Sequence, residues 1–318
     1  MAIQQILVPQ FSAPELLGEP GAAELAIFLS ADIPSNLFQL SWLENYGIDS
    51  PRGADAFIFV GVRTPHGKLA AVMLLVGQSL ALIHSQEDGA AEAIGRWCRD
   101  RGFQLDHIVS ARHGVEVFWR AYAAEREILG NADSQAPVPR TFAQLRAHSH
   151  RAQTLYMLER ARWHDAQAQR DPAAPAIHPR PARLDEIDAV FLASARMHRE
   201  ETHIDPLADD PEGFRRHVAH RISTGRCYVH FDAHHRLLFK AELSALSGFG
   251  AQISGVYTDP ICRRKGIATA ALFDICGQLF EGGARRITLY VNDDNEAAHR
   301  VYRKVGFELH APYQTIFV

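Results

Sequence analysis

The stretch PICRRKGIATAAL, Pro260 to Leu272, sets three cations and a glycine directly before an apolar run at helical spacing. The preceding AQISGVYTD reads as a strand. The helix from Ile267 repeats apolar residues at Ile267, Ala271, Ile275 and Leu279 until Gly282-Gly283 stops it. A strand, a tight turn at Asp259-Pro260 and a helix opened by Arg263-Arg264-Lys265-Gly266 call for an α/β fold with an anion site at the turn. The first turn of a helix carries unpaired N–H groups and partial positive charge. Gly266 lets a bulky anion reach the backbone with no Cβ in the way, and Ala268 is the next smallest choice at the second close approach. Taken alone, the loop fits a phosphate cradle or a basic helix start facing water.

The remaining elements fall into two halves. His164 to Pro181, HDAQAQRDPAAPAIHPRP, lacks period, and its prolines stop any regular element. We therefore expect a first lobe over residues 1–163, a linker over 164–175 and a second domain over 176–318. After the linker the order is a short strand at HPRPAR, a helix over LDEIDAVFLASARMHRE, a second over DPEGFRRHVAHRIST, and strands at RCYVHFDA, RLLFKAELSAL and AQISGVYTD. The loop and helix above come next, then a strand RRITLYVN, and a helix capped by Asn295 with inner stripe Ala298, Val301, Tyr302 and Val305. Two closing strands, FELHA and YQTIFV, are expected, with a short loop at Ala311–Tyr313. This predicts a mixed sheet with helices on both faces. The first half repeats that order: helices over Ala22–Leu29 and Ser35–Tyr46, strands at AFIFVGV, KLAAVMLLV and LALIHS, a helix over Ala90–Arg101, a strand QLDHIVS, a helix GVEVFWRAYAA and a late strand AQTLYMLERA. Shared order suggests two copies of one fold.

The loop does not stand alone. Arg263-x-x-Gly266-x-Ala268, followed by Asn295-x-x-Ala298-x-x-x-Tyr302-x-Lys304-x-Gly306-Phe307, resembles the GNAT superfamily of acyl-CoA-dependent N-acetyltransferases. The likeness covers roughly residues 176–318 and is strongest in its two-lobed bacterial members with a diverged first lobe. The resemblance implies two GNAT-like lobes in tandem, an α/β fold whose C-terminal lobe is complete and whose N-terminal lobe is degenerate. It implies that the pyrophosphate of acetyl-CoA lies on the N–H groups of Arg264, Lys265, Gly266, Ile267, Ala268 and Thr269, with Arg263 shaping the turn. The pantetheine arm would pair against Val256, Tyr257 and Thr258, with Asn295, and also Asn292 and Ala298, beside it. Tyr302 would sit by the thioester sulfur. Arg264 departs from the pattern, since many members have glycine there.

Acetyl transfer to an amine needs a neutral nucleophile. An amine of pKa about 10.4 is only about 0.04% neutral at pH 7, a deficit near 4–5 kcal/mol, so a base must take its proton, directly or through water. Tyr302 is the candidate proton donor to the departing thiolate; the alternative is helix-to-sheet packing. For Asn292 and Asn295 the alternative is helix capping. Glu242 is the candidate acidic base. Period 2 puts it on one face of its strand with Leu238, Lys240 and Ser244, where a solvated strand face carrying a Lys240–Glu242 pair is the competing reading. Glu200, Glu201 and His203 in MHREETHIDP border the acceptor groove of the resembled fold, or else form a charged helix end. No His-Glu-x-x-His is present, so no metal is expected.

In the first half, QEDGAAEAIGRW puts acids where a pyrophosphate would sit and offers no Arg-x-x-Gly-x-Ala step, so a non-catalytic lobe is expected there. Lys and Arg count 33 against 37 acids, a formal charge of −4, which argues against nucleic acid as partner. The apolar stretch Leu69–Ile83 is interrupted by Gly77, Gln78 and Ser79 and reads as a hairpin, too short for a membrane helix. The opening residues lack a basic segment followed by an apolar core, and the four cysteines follow no disulfide or metal spacing, so a cytoplasmic protein is expected. The expected partners are acetyl-CoA and an amine acceptor. Rival readings keep the fold but take another acyl donor, or make the protein a CoA-responsive binding module with little turnover.

Overall fold

The computed structural model describes residues 10–48, 56–77, 79–124, 149–202, 205–208 and 210–318. The chain divides into two compact units, Met1–Thr154 with Ala311–Val318, and Leu155–His310.

In the first unit, strands β1 (Glu15–Leu16), β2 (Phe57–Arg63), β3 (Leu69–Val76) and β4 (Leu80–Ser85) run antiparallel in succession, and β5 (His107–Ala111) joins β4 in parallel. Four helices accompany them: α1 (Ala22–Leu29), α2 (Ile33–Tyr46), α3 (Asp88–Asp100) and α4 (Arg112–Ala123). The expected Leu69–Ile83 hairpin is the β3–β4 pair. Asp32 starts α2 by accepting from the Ser35 amide, and Gly47 at φ 76° ends it. Val60, Met73 and Ile83 of the sheet bury against Ile94 and Cys98 of α3 and Phe118 of α4.

Strand β6 (Ser149–Glu159) leads into the second unit and continues as helix α5 (Arg160–Ala168). There follow β7 (Arg180–Pro181), α6 (Ile187–Thr202), α7 (Pro211–Ser223), β8 (Cys227–Phe231), β9 (Leu237–Ser247), β10 (Gly250–Thr258), α8 (Ile267–Glu281), β11 (Arg286–Asn292), α9 (Glu296–Val305) and β12 (Glu308–Phe317). The sheet order is β6-β11-β10-β9-β8-β7. Strand β9 contributes to two cores, and the ladder to β8 shifts register where it passes from Leu237 in one to Phe239 in the other. Phe239, Ala241 and Leu243 pack with Ala271, Leu272 and Ile275 of α8. On the other face, Val190 of α6 and Val218 and Ile222 of α7 cover Val229 and Tyr257. Helices on both faces of a mixed sheet are what the sequence order predicts.

Two expectations are corrected. The two closing strands are one, β12, without a loop at Ala311–Tyr313. Pro312 lies just before the antiparallel ladder to β5, which begins at Tyr313↔Ala111, so that ladder asks no N–H of the proline. The start of the expected linker is helical: α5 buries no residue completely and so offers no apolar period to read. Of the two compact units, the second contains α5, and the last residues of β12 belong to the first.

Candidate active site

Thr258 ends β10, and the chain turns through Pro260–Cys262 because the Asp259 carboxylate accepts from the Ile261 amide at 3.0 Å. Arg263 locks the turn. Its Nε donates to the Thr258 carbonyl at 3.1 Å, its Nη2 pairs with Glu200 at 2.7 Å, and its guanidinium lies 5.9 Å from the centre of the Tyr257 ring. Arg264 sits at φ 64° and Gly266 at φ 78°, so the loop takes two left-handed steps before α8. Gly266 is required there: its φ is strained for any other residue, and a Cβ would also come 3.3 Å from Pro175. Residues 263–266 are exposed while Ile267 is buried. Among the described residues no side chain caps α8 and no acid lies in its first turn, which leaves its first amides without a side-chain cap. Successive N–H groups in such a turn form an anion-binding concavity. The chemistry of this loop fits a diphosphate.

The adjoining sheet opens where a ligand arm would enter. Strands β10 and β11 pair in parallel only at Ala251↔Ile287 and Gln252↔Thr288 among the described residues. On its other side β10 carries a bulge against β9, with Ser254 opposite Glu242 and then Tyr257 opposite Lys240. Gly255 takes φ 55° within that bulge. Val256 and Thr258 are half-buried, and the buried Tyr257 hydroxyl has no partner among the described residues.

Helix α9 brings the next predicted residues. The Asn295 side chain accepts from the Ala298 amide at 3.1 Å, and its own N–H donates to the Asn292 carbonyl at 3.0 Å, so Asn295 is a helix cap here. Tyr302 is 6% exposed, with Tyr156 and Phe307 at ring distances of 6.1 and 6.0 Å. Burial, and to a lesser degree the Glu201 carboxylate, pushes its phenol well above the usual range, so it stays protonated at neutral pH. Tyr156 is itself held by His299, with Oη to Nδ1 at 2.8 Å.

The sequence-predicted acids part company. Glu200 is committed to Arg263, whereas Glu201 is exposed and acts on both Tyr290 and Tyr302. His203 lies outside the described residues. Glu242 does not stand on a solvated face: it meets the fully buried Lys240 at 2.5 Å and is 14% exposed. Burial alone would raise its carboxyl, but Lys240, aided by Arg221 and His217, brings it below the usual value. Sequence reasoning missed His217, Arg221 and Tyr290. The two α7 residues are spaced i, i+4 and so share a face, and Arg221 donates to the Leu243 carbonyl at 2.6 Å, which lays that face over β9.

Residues 187–307, which contain this loop, open strand and helix, match the model of the acetyltransferase (GNAT) family. They form a GNAT domain. The structure resembles a tandem GNAT protein from the clavulanic acid biosynthesis pathway, at 16% identity, 97% of this chain, 98% of that one and a TM-score of 0.58. It also resembles a GCN5-related N-acetyltransferase from Sphaerobacter thermophilus (15%, 98% and 96%, 0.54) and a GNAT acetyltransferase from Colwellia psychrerythraea (11%, 96% and 99%, 0.51). At these identities the likeness carries the fold, and it extends the GNAT fold over both units. No curated protein sequence matches the chain.

The first unit repeats the central parallel pair of the GNAT domain, again joined at two residue pairs among the described residues, Leu80↔His107 and Ala81↔Ile108. Its surroundings differ. Only Gln86 and Glu87 separate β4 from α3, and Asp88 at the helix start pairs with His113 at 2.7 Å. Phe11 packs so closely on Gly89 that a Cβ there would come within 2.6 Å of the ring, and the Gln39 amide donates to the Leu82 carbonyl at 3.3 Å.

Proposed function

We propose that this protein transfers the acetyl group of acetyl-CoA to a primary amine, using the second unit alone for chemistry. The observation that carries the reading is the joint presence in one unit of an exposed basic loop with two left-handed residues, an open strand edge that runs into it, and a buried protonated tyrosine on the helix after β11. Backbone amides of Arg264, Lys265, Gly266, Ile267, Ala268 and Thr269 would hold the diphosphate, and Val256, Tyr257 and Thr258 would hold the pantetheine arm. Acetyl-CoA supplies an acyl group activated as a thioester. The amides of the β10 bulge can donate to the carbonyl oxygen as it gains charge.

Tyr302 acts at the departing sulfur. A thiol has a pKa near 8.5 and a free tyrosine near 10, so handing the phenol proton over completely would be uphill by about 2 kcal/mol or more. Tyr302 therefore donates a hydrogen bond while the C–S bond breaks, and the proton that finally rests on sulfur is matched by the one the amine loses. Glu242, already tied to Lys240, is too weak a base to take that proton readily and instead attracts the acceptor's positive charge, leaving water as the proton carrier. Glu201, exposed beside Tyr302, marks the acceptor side.

Tyr302→Phe tests this directly. The ring keeps its packing on Tyr156 and Phe307, so acetyl-CoA affinity measured by calorimetry stays within about twofold while kcat for acetyl transfer falls 10²-fold or so, the usual range for a lost acid or hydrogen-bond donor. Equal loss of binding and turnover would assign Tyr302 to packing instead. A parent protein that binds acetyl-CoA but acetylates no amine in a broad panel would favour a CoA-responsive module. For the first unit we propose a non-catalytic role, supported by the acids and Phe11 at the start of α3.

A further inference from the structure

A lysine with no exposure to solvent is unusual in any sheet, and Lys240 is one. It and Glu242 emerge on the same face of β9, and ammonium and carboxylate meet at 2.5 Å. Both lie against the bulge of β10. A Cβ on Gly255 would come 3.2 Å from Glu242 Cδ and 3.4 Å from Lys240 Nζ. Stability does not call for such a pair, because apolar side chains of the same volume are commonly as good or better in its place. The other face of β9 takes that option with Phe239, Ala241 and Leu243. The groups around Glu242 are His217 and Arg221 from α7, Cys227 opposite it on β8, Lys240 on its own strand, and Ser254 and Gly255 on β10. Of the pair, only Glu242 can be reached by solvent.

We propose that Lys240 is a positioning residue for acetyl transfer: its buried ammonium holds Glu242 as a carboxylate at the Gly255 bulge, where that carboxylate receives the cationic acceptor nitrogen before the nitrogen gives up its proton. The inference rests on the acetyltransferase reading of this site. It makes the acceptor a cation on arrival, and it gives Lys240 a role at a distance from the reacting atoms. Without the ammonium, burial is opposed only by Arg221 and His217, so the carboxyl would take up a proton and lose its attraction for an ammonium.

The test combines a titration with kinetics. In protein carrying ¹³C at the glutamate δ-carbons, with the Glu242 signal assigned by its loss in Glu242→Gln, that signal titrates below the ordinary glutamate range. In Lys240→Met it moves above that range. With acetyl-CoA and n-butylamine as probes, Lys240→Met loses at least tenfold in kcat/KM for the amine at pH 7 and regains activity as pH rises, while KM for acetyl-CoA is unchanged and Lys240→Arg restores most of the loss. A Glu242 signal that does not move, or an activity loss equal at every pH, would overturn the role of Lys240. If Lys240→Met fails to fold, the unaltered protein decides: a Glu242 signal at or above the ordinary glutamate range overturns the proposal. An unaltered protein that gives no heat with acetyl-CoA would sink the acetyltransferase reading instead, and the titration tells the two failures apart.

Discussion

Arg264 occupies a left-handed backbone position that a side chain enters at a cost of about 1–2 kcal/mol. Arg264→Gly is expected to raise stability by about 1 kcal/mol in denaturant unfolding, and to weaken acetyl-CoA binding only a few-fold, since the amides rather than the guanidinium form the cradle. A large loss of affinity would mean the side chain is the real ligand. The sequence already placed the loop, the Asn295 cap and Tyr302, because each is defined by spacing along one element. Lys240 and Glu242 were legible only as neighbours on one strand face. What buries them is α7 and the Gly255 bulge, which arrive from elsewhere in the chain, and a strand's own period says nothing about what will cover it.

Elements with a strong apolar period, such as α8 and β3, could be read directly, whereas α5 could not. Its place depends on one side chain: Trp163 lies over Gly277 and donates its indole N–H to the Phe273 carbonyl at 3.1 Å. Trp163→Ala is expected to cost about 2–3 kcal/mol, less than a fully buried tryptophan would, and thermal unfolding will measure it. At the start of α6, Glu186 accepts from Arg180 at 2.5 Å and from the Arg183 amide at 2.8 Å. The hydrogen bond from Arg180 is the main cause that holds its carboxyl below the ordinary value. A carboxyl lowered on folding contributes stability above the unfolded value, near pH 4.3, and loses it as pH falls through the folded value. Glu186→Gln should therefore cost about 1 kcal/mol at pH 7 and progressively less as pH falls below the unfolded value, as unfolding across that range will show.

For the molecule as a whole, element order alone disclosed two copies of one fold, and the likeness to tandem GNAT proteins covers 97% of the chain. The single closing strand was not legible, because Pro312 reads as a break in the sequence whereas β12 runs through it and carries its last residues into the first unit. The two copies differ at one helix start: both keep the central parallel pair, but only the second has an exposed, basic loop before its helix. Among the described residues no helix is long and apolar enough to cross a membrane, and no group of three or more His, Cys, Asp or Glu residues could hold a metal. Calorimetric titration of the whole chain with CoA, beside Gly266→Val, examines the central claim most directly. We predict one site per chain in the parent and binding at least thirtyfold weaker in the variant, whose β-branched residue is strained at that φ and crowds Pro175. No heat in the parent, or the same isotherm in both proteins, would contradict it.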